Sequence, residues 1–179
     1  ADGNNLFYSS WGGSLSRLSG LDSLWSVEDV NLLDNTTILG QAGGTITGIA
    51  PDPNDVNHLV ITVGGYGTVS NGKVRETWNA LDDAPIWEDI WFPVSNDMAR
   101  MPCYDAIIDV SDESGQTIVV GTEFGVYVTD TGGGADGTEW VQRNDPMDPA
   151  QSTGIDACPT FSVRQQQIAT DLTWRAPTN

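Results

Sequence analysis

The residues best equipped for chemistry in this chain are carboxylates: Asp and Glu number 25 against seven Lys and Arg. Two carboxylates across a cleft can hydrolyse a glycosidic bond, one as acid and one as base, and an inverting pair stands roughly 6.5–9.5 Å apart. Asp52, Asp82, Asp105 and Asp109 are candidates for half of such a pair. Clustered carboxylates can instead hold calcium, which takes about 6–8 oxygens. Asn54-Asp55 and Asp112-Glu113 are the places to look, although these residue types also form ordinary turns. Trp11, Trp78, Trp91 and Trp174 offer flat faces that can stack on sugar rings. Two cysteines, Cys103 and Cys158, and the single His58 cannot build a usual four-ligand zinc site. Gly132-Gly133-Gly134 is not a phosphate loop, because no Lys-Ser/Thr pair follows it. Arg17, Arg75, Arg100, Arg143, Arg164 and Arg175 recur at no common spacing and form no cluster. The sequence therefore defines no catalytic constellation, no metal site and no cofactor, with calcium the one ion its carboxylates invite.

The formal net charge of −18 repels phosphate backbones and anionic bilayers, which argues against nucleic-acid partners and membrane surfaces. No apolar run approaches the ~18–20 residues of a membrane span. Asn35-Thr36-Thr37 matches a glycosylation sequon. The chain opens at Ala1 rather than Met and carries no signal-peptide pattern, so it is expected to be a mature product or an excerpt.

The elements that must position these groups are strands. Short β-branched and aromatic runs lie at residues 46–50, 58–63, 73–78, 87–91, 104–110, 117–122, 125–129 and 139–143, separated by Gly, Asn, Asp, Pro and Ser. No stretch keeps a helical apolar period. The strands also repeat. Residues 49–67 align without a gap on residues 107–125, placing Ile49 on Ile107, Val60 on Ile118 and Tyr66-Gly67 on Phe124-Gly125. Each copy reads strand, acidic turn, strand, aromatic-Gly, strand, loop, and then a tryptophan in a fourth strand: Trp87 in one copy and Trp140 in the next. Upstream, residues 5–12 read as a second strand ending in Trp11-Gly12, residues 14–18 as a third, and Trp25 as the fourth-strand tryptophan. Downstream, residues 160–164 read as a new first strand.

A unit of about 55 residues with four strands cannot bury both faces alone and must pack between neighbours. The expected fold is all-β: a segment of a β-propeller with four-stranded antiparallel blades. A partial blade covers residues 1–44, two whole ones 45–100 and 101–155, and the start of another 156–179. Such a segment leaves edges bare, so it is expected to belong to a larger ring completed by the rest of a longer polypeptide or by other chains.

The stretch Gly125-Val126-Tyr127-Val128-Thr129-Asp130-Thr131-Gly132-Gly133, continuing to Trp140, resembles the Asp-box (BNR) repeat, Ser/Thr-x-Asp-x-Gly-x-x-Trp. The segment before it, residues 119–125, is similar to sortilin-like and xyloglucanase-like propellers. Trp140 lies ten residues after Asp130 rather than five, so the loop carries an insertion, and Asp136 can take the aspartate role instead. The resemblance implies structural roles for Asp130, Gly132, Asp136 and Trp140: the carboxylate accepts backbone N–H bonds and the indole packs between blades.

Within that architecture Trp11, Trp78, Trp91 and Trp174 fall off the repeated core position held by Trp25, Trp87 and Trp140. Asp105 falls in a first strand, where it would line the central channel. Cys103 and Cys158 start first strands of adjacent blades and are either disulfide-bonded or buried thiols. The resemblance implies a secreted or cell-surface recognition or scaffold module with polysaccharide as a ligand class, rather than an enzyme in this segment. Its rivals are a xyloglucanase-like glycoside hydrolase completed by other blades, and a purely structural repeat of an extracellular assembly. A sialidase-like site would need an arginine cluster that this sequence lacks.

Overall fold

The computed structural model describes residues 3–67, 72–91, 100–132, 139–142 and 158–165. It is all-β: among the described residues there are three antiparallel sheets, with short 3₁₀ helices at Leu21–Ser23 and Val27–Leu32. The first sheet has three strands in the order β1 (Asn5–Ser9), β2 (Leu15–Ser19), β3 (Asp34–Leu39). The second has four, β4 (Ile46–Pro51), β5 (Leu59–Val63), β6 (Val74–Thr77) and β7 (Glu88–Asp89). The third repeats that order with β8 (Cys103–Ile108), β9 (Ile118–Thr122), β10 (Gly125–Thr129) and β11 (Val141–Gln142). Each strand pairs with its sequence neighbour, and no closed ring forms among the described residues.

The second and third sheets match in register. Val60 opposes Ala50 and Glu76, as Ile118 opposes Ile108 and Thr129. A register shift at the start of the first strand also recurs, between Ile46 and Gly48 and between Cys103 and Asp105.

Sheet stacking follows from strand composition. All five residues of β5 are buried. Leu59, Ile61 and Val63 pack with Leu15, Ile38 and Ala42 of the first-sheet side and with Ile46 of β4. Val60 joins the other cluster, with Met101, Cys103, Ala106, Ile108, Ile118 and Val120. Side chains alternate across a strand, so an apolar run on both faces needs a layer on each side.

The layers are tied by tryptophan indoles. Trp87 Nε1 donates to the Ile38 carbonyl at 3.0 Å, and Trp140 Nε1 donates to the Ile90 carbonyl at 2.6 Å. Each bond runs from the outer-strand side of one sheet back to the sheet before it. Trp140 also meets Trp91, and Trp91 meets Tyr127, both edge to face.

Two expectations fail here. Trp25 is not a packed tryptophan of the first sheet: it is 89% exposed, and the last strand of that sheet is β3, further along the chain. The reason is a 14-residue connection, residues 20–33, that folds into 3₁₀ helices at Leu21–Ser23 and Val27–Leu32. The spacing carried a warning, since Trp25 lies 62 residues before Trp87 whereas Trp87 lies 53 before Trp140. Residues 160–164 form no strand either. Side chains there hold β8 instead, with Gln165 donating to the Ile108 carbonyl and accepting from the Val110 amide.

In the loops before the packed tryptophans, the amide just ahead of each indole is held by a short polar side chain. Ile86 N donates to Asn79 Oδ1 at 2.9 Å, and Glu139 N donates to Thr131 Oγ1 at 2.8 Å. Asp130 is exposed. Asp136 lies outside the described residues. Substituting Trp140 by Ala is expected to cost about 3–5 kcal/mol, as for other core aromatic truncations. Thr131→Ala should cost about 1 kcal/mol through its lost amide bond, and Asp130→Ala close to nothing. Urea denaturation of the three variants checks this ranking.

Candidate functional site

The connections β1–β2, β5–β6 and β9–β10 each present an aromatic side chain to solvent. Trp11 is 94% exposed, Tyr66 68% and Phe124 48%. The aromatic in each case stands just before a glycine; Gly67 and Gly125 take a positive φ, and in the first sheet it is the second glycine, Gly13, that does. Gly13 has a second constraint: a Cβ there would lie 2.1 Å from the Gly44 carbonyl oxygen.

These turns lie at the same end of the sheets as the starts of β4 and β8, because each inner strand runs antiparallel to its neighbour. Backbone bonds stitch that end together. Ala42 N donates to Gly13 O, Gly64 N to Thr45 O, Gly67 N to Arg100 O and Glu123 N to Pro102 O. Lys73, itself buried, donates to the Gly65 carbonyl at 2.6 Å and so supports the Tyr66 turn from beneath.

A carboxylate sits among the aromatics. Glu123 accepts a short hydrogen bond from the Tyr104 hydroxyl, and that bond with partial desolvation pushes the Tyr104 phenol up to about 12. The Tyr66 phenol is raised as well, by partial desolvation and by its interaction with Glu123. Phe161 packs on Tyr104 with ring centroids 4.8 Å apart. Both phenols therefore stay protonated at neutral pH and offer hydroxyls beside a carboxylate on an apolar, ring-faced surface.

A groove of about 420 Å³ runs between β4 and β8, bounded by Ser9, Asp105, Arg164 and Gln165. Asp105 is already engaged there: its Oδ2 accepts from Ser162 Oγ and Val163 N, each at 3.2 Å, and pairs closely with Arg164. Asp109 and Asp112 serve turns, Asp109 holding Ser111 and Asp112 holding Ser114 and Thr117. Those bonds, led by the Ser114 hydroxyl, keep the Asp112 carboxyl well below the usual carboxylate range. Among the described residues no group of three or more His, Cys, Asp and Glu is placed to hold a metal ion, which leaves the calcium expectation without a site there.

The opposite end of the second sheet holds a feature the sequence analysis missed. His58 is buried between two carboxylates, with Nδ1 2.8 Å from Asp52 Oδ2 and Nε2 2.8 Å from Glu76 Oε1. Its ring stacks on Trp78 at 3.6 Å, and Gly115 of the next sheet's turn closes over it, where a Cβ would lie 2.5 Å from Asp52 Oδ2. Nothing in the spacing of Asp52, His58 and Glu76 signalled it, since they sit just after β4, just before β5 and within β6. One carboxylate at each ring nitrogen fits an imidazolium that donates twice, not a metal ligand. Burial pulls the imidazole pKa down, but the bonds and charges of Glu76 and Asp52 together raise it above its ordinary value.

The remaining sequence candidates scatter. Trp91 is in the core, only 3% exposed, and cannot be a sugar platform; its place next to Trp140 and Tyr127 explains why. Trp78 is 39% exposed but one face is taken by His58. Trp174 lies outside the described residues. Of the two arrangements expected for Cys103 and Cys158, a disulfide or buried thiols, the structure has both as free thiols, Cys103 buried and Cys158 exposed; burial pushes the Cys103 thiol up and leaves it unreactive. Asp82 accepts from Asn79 within its own loop. Among the described residues no helix is long and apolar enough to cross a membrane.

No protein-family model matches the chain, nor does any curated protein or solved structure.

Because His58 is the only histidine, its imidazole proton signal in a proton NMR titration is unambiguous. A midpoint above the ordinary value of about 6.5 is expected. A raised folded-state pKa adds stability that is full below about pH 6.5 and is lost as pH rises through the folded value. Urea midpoints should accordingly fall on going from pH 6 to pH 8, and a midpoint at or below 6.5 in the titration would contradict the doubly donating imidazolium.

Proposed function

We propose that this chain is a segment of an Asp-box-type β-propeller and works as a recognition module for polysaccharide, set outside the cell and completed by further blades. The observation that carries the reading is the recurrence of one exposed aromatic at the same turn of three successive sheets: Trp11, Tyr66 and Phe124. Isolated exposed aromatics are ordinary, but a repeated set on one end of stacked sheets is a surface. Aromatic faces pair with the C–H faces of pyranose rings, and the Tyr66 and Tyr104 hydroxyls with Glu123 supply the polar contacts that orient a sugar. The recurring indole ties and the side chains that hold the loop amides support the propeller part of the reading, with Asn79 and Thr131 acting where the family uses aspartate.

The strong negative charge selects among polysaccharides. A neutral glucan can approach this surface, while a polyanionic one is repelled. The hydrolase alternative draws no support from Asp105, which is consumed by contacts to residues 162–164.

Native electrophoresis through gels containing a soluble neutral β-glucan tests the reading. Migration of the chain should be retarded in a dose-dependent way, and unchanged in gels with a sulfated polysaccharide. Trp11→Ala and Tyr66→Ala should each weaken retardation by about 2- to 10-fold, the weight of one aromatic stacking contact. Unretarded wild-type chain, or retardation indifferent to both substitutions, would sink the proposal.

A further inference from the structure

Residues 20–33, which delay the last strand of the first sheet, form a second exposed apolar surface with a different character from the turn aromatics. Trp25 and Val27 are each 89% exposed, Leu32 62% and Val30 55%. The connection has 14 residues where the corresponding ones in the other sheets have 10 and 11, so the extra length goes into carrying these side chains. An apolar patch of this kind on a segment that could have been polar marks an interaction site.

The segment is held in shape without help from the sheet cores. Asp29 Oδ2 accepts from Trp25 N at 3.0 Å, Ser26 N at 2.7 Å and Ser26 Oγ at 3.1 Å. The Trp25 and Ser26 amides, with the Ser26 hydroxyl, keep the Asp29 carboxyl below its ordinary range. Backbone bonds from Ser23 to Gly20, Leu24 to Leu21 and Leu33 to Val30 close the turns on either side. The Trp25 backbone is therefore fixed before anything binds, which lowers the ordering cost of a contact. Tryptophan is one of the residues enriched at the energetic hot spots of protein interfaces.

The charged residues of this connection and of the start of β3 are all acidic. They are Asp22, Glu28, Asp29 and Asp34, and no Lys or Arg occurs between Arg17 and Lys73, both of which are buried. We propose that this loop docks a basic amphipathic segment of a partner protein, its apolar residues seated on Trp25 and Val27 and its Lys or Arg heads on Asp22, Glu28 and Asp34. A second copy of the chain is a poor occupant, since it would bring the same acidic frame and the same net charge of −18 against this one.

The test uses three synthetic 14-residue peptides as probes in fluorescence anisotropy: a Lys/Leu amphipathic sequence, a Lys/Ser sequence of equal charge and a Glu/Leu amphipathic sequence. The Lys/Leu peptide should bind at least 10-fold more tightly than either other peptide. Trp25→Ser and Val27→Asp should each weaken it at least 10-fold while leaving the melting temperature and circular dichroism unchanged, because both residues are exposed. Trp11→Ala and Tyr66→Ala should leave peptide binding intact, which separates this site from the sugar-binding surface. Equal affinity for the Lys/Leu and Lys/Ser peptides, or full binding by Trp25→Ser, would reduce the effect to bulk charge and overturn the proposal. So would a concentration-dependent dimer in sedimentation that Trp25→Ser abolishes, since a second copy would then be the occupant.

Discussion

Strand β5 has no polar face, and that single constraint organises the molecule. Leu59, Ile61 and Val63 must be covered from one side and Val60 from the other. Thr62, fully buried among them, is tolerated because its hydroxyl meets Thr47, which in turn donates to the Cys103 carbonyl of the next sheet. A lone four-stranded sheet cannot meet these demands, so stacking is a condition of folding and not an addition to it. The tryptophan bonds to Ile38 and Ile90 then set how far apart the layers stand.

Polar groups buried between the layers are largely but not fully paired: Arg17 Nε and Trp91 Nε1 make no hydrogen bond among the described residues. Arg17, almost wholly buried, donates to the carbonyls of Ala80 and Asp82 across the first interface. His58 meets two carboxylates under Trp78 and Gly115 at the second, where Asn54 also donates to the Val110 carbonyl. Such groups are expensive to bury unless they are matched; Arg17 and Asn54 find carbonyls across a sheet interface, whereas both partners of His58 belong to its own sheet. The interfaces therefore gain specificity of alignment from their polar members and most of their energy from the apolar ones.

The two ends of the sheets diverge in consequence. At one end the connections bear glycine and an exposed aromatic but differ in length, from two residues between β9 and β10 to ten between β5 and β6. At the other, the connections between the last two strands of each sheet differ in length, and the longest one carries Trp25 outward. Repetition of backbone thus yields one surface built three times over and one surface that occurs once, and these are the two places where binding is proposed.

Strand positions were legible in the sequence because β-branched runs bounded by turn residues report local geometry, and the gapless alignment of residues 49–67 on 107–125 reported the matching sheets. The aromatic-glycine turns were legible for the same reason. What the sequence could not settle were contacts between residues far apart in the chain. Nothing local distinguishes Trp91, which is buried against Tyr127, from Trp11, which is bare, or Trp25 from the packed Trp87. His58 drew no attention as a lone histidine, because its partner Glu76 arrives only when β6 pairs beside β5. Asp105 likewise looked free until residues 162–164 came to rest on it. Sequence determined the strands and their repeat through short-range preference and alternation; tertiary packing decided which side chains remain available, because availability depends on what the neighbouring layers cover.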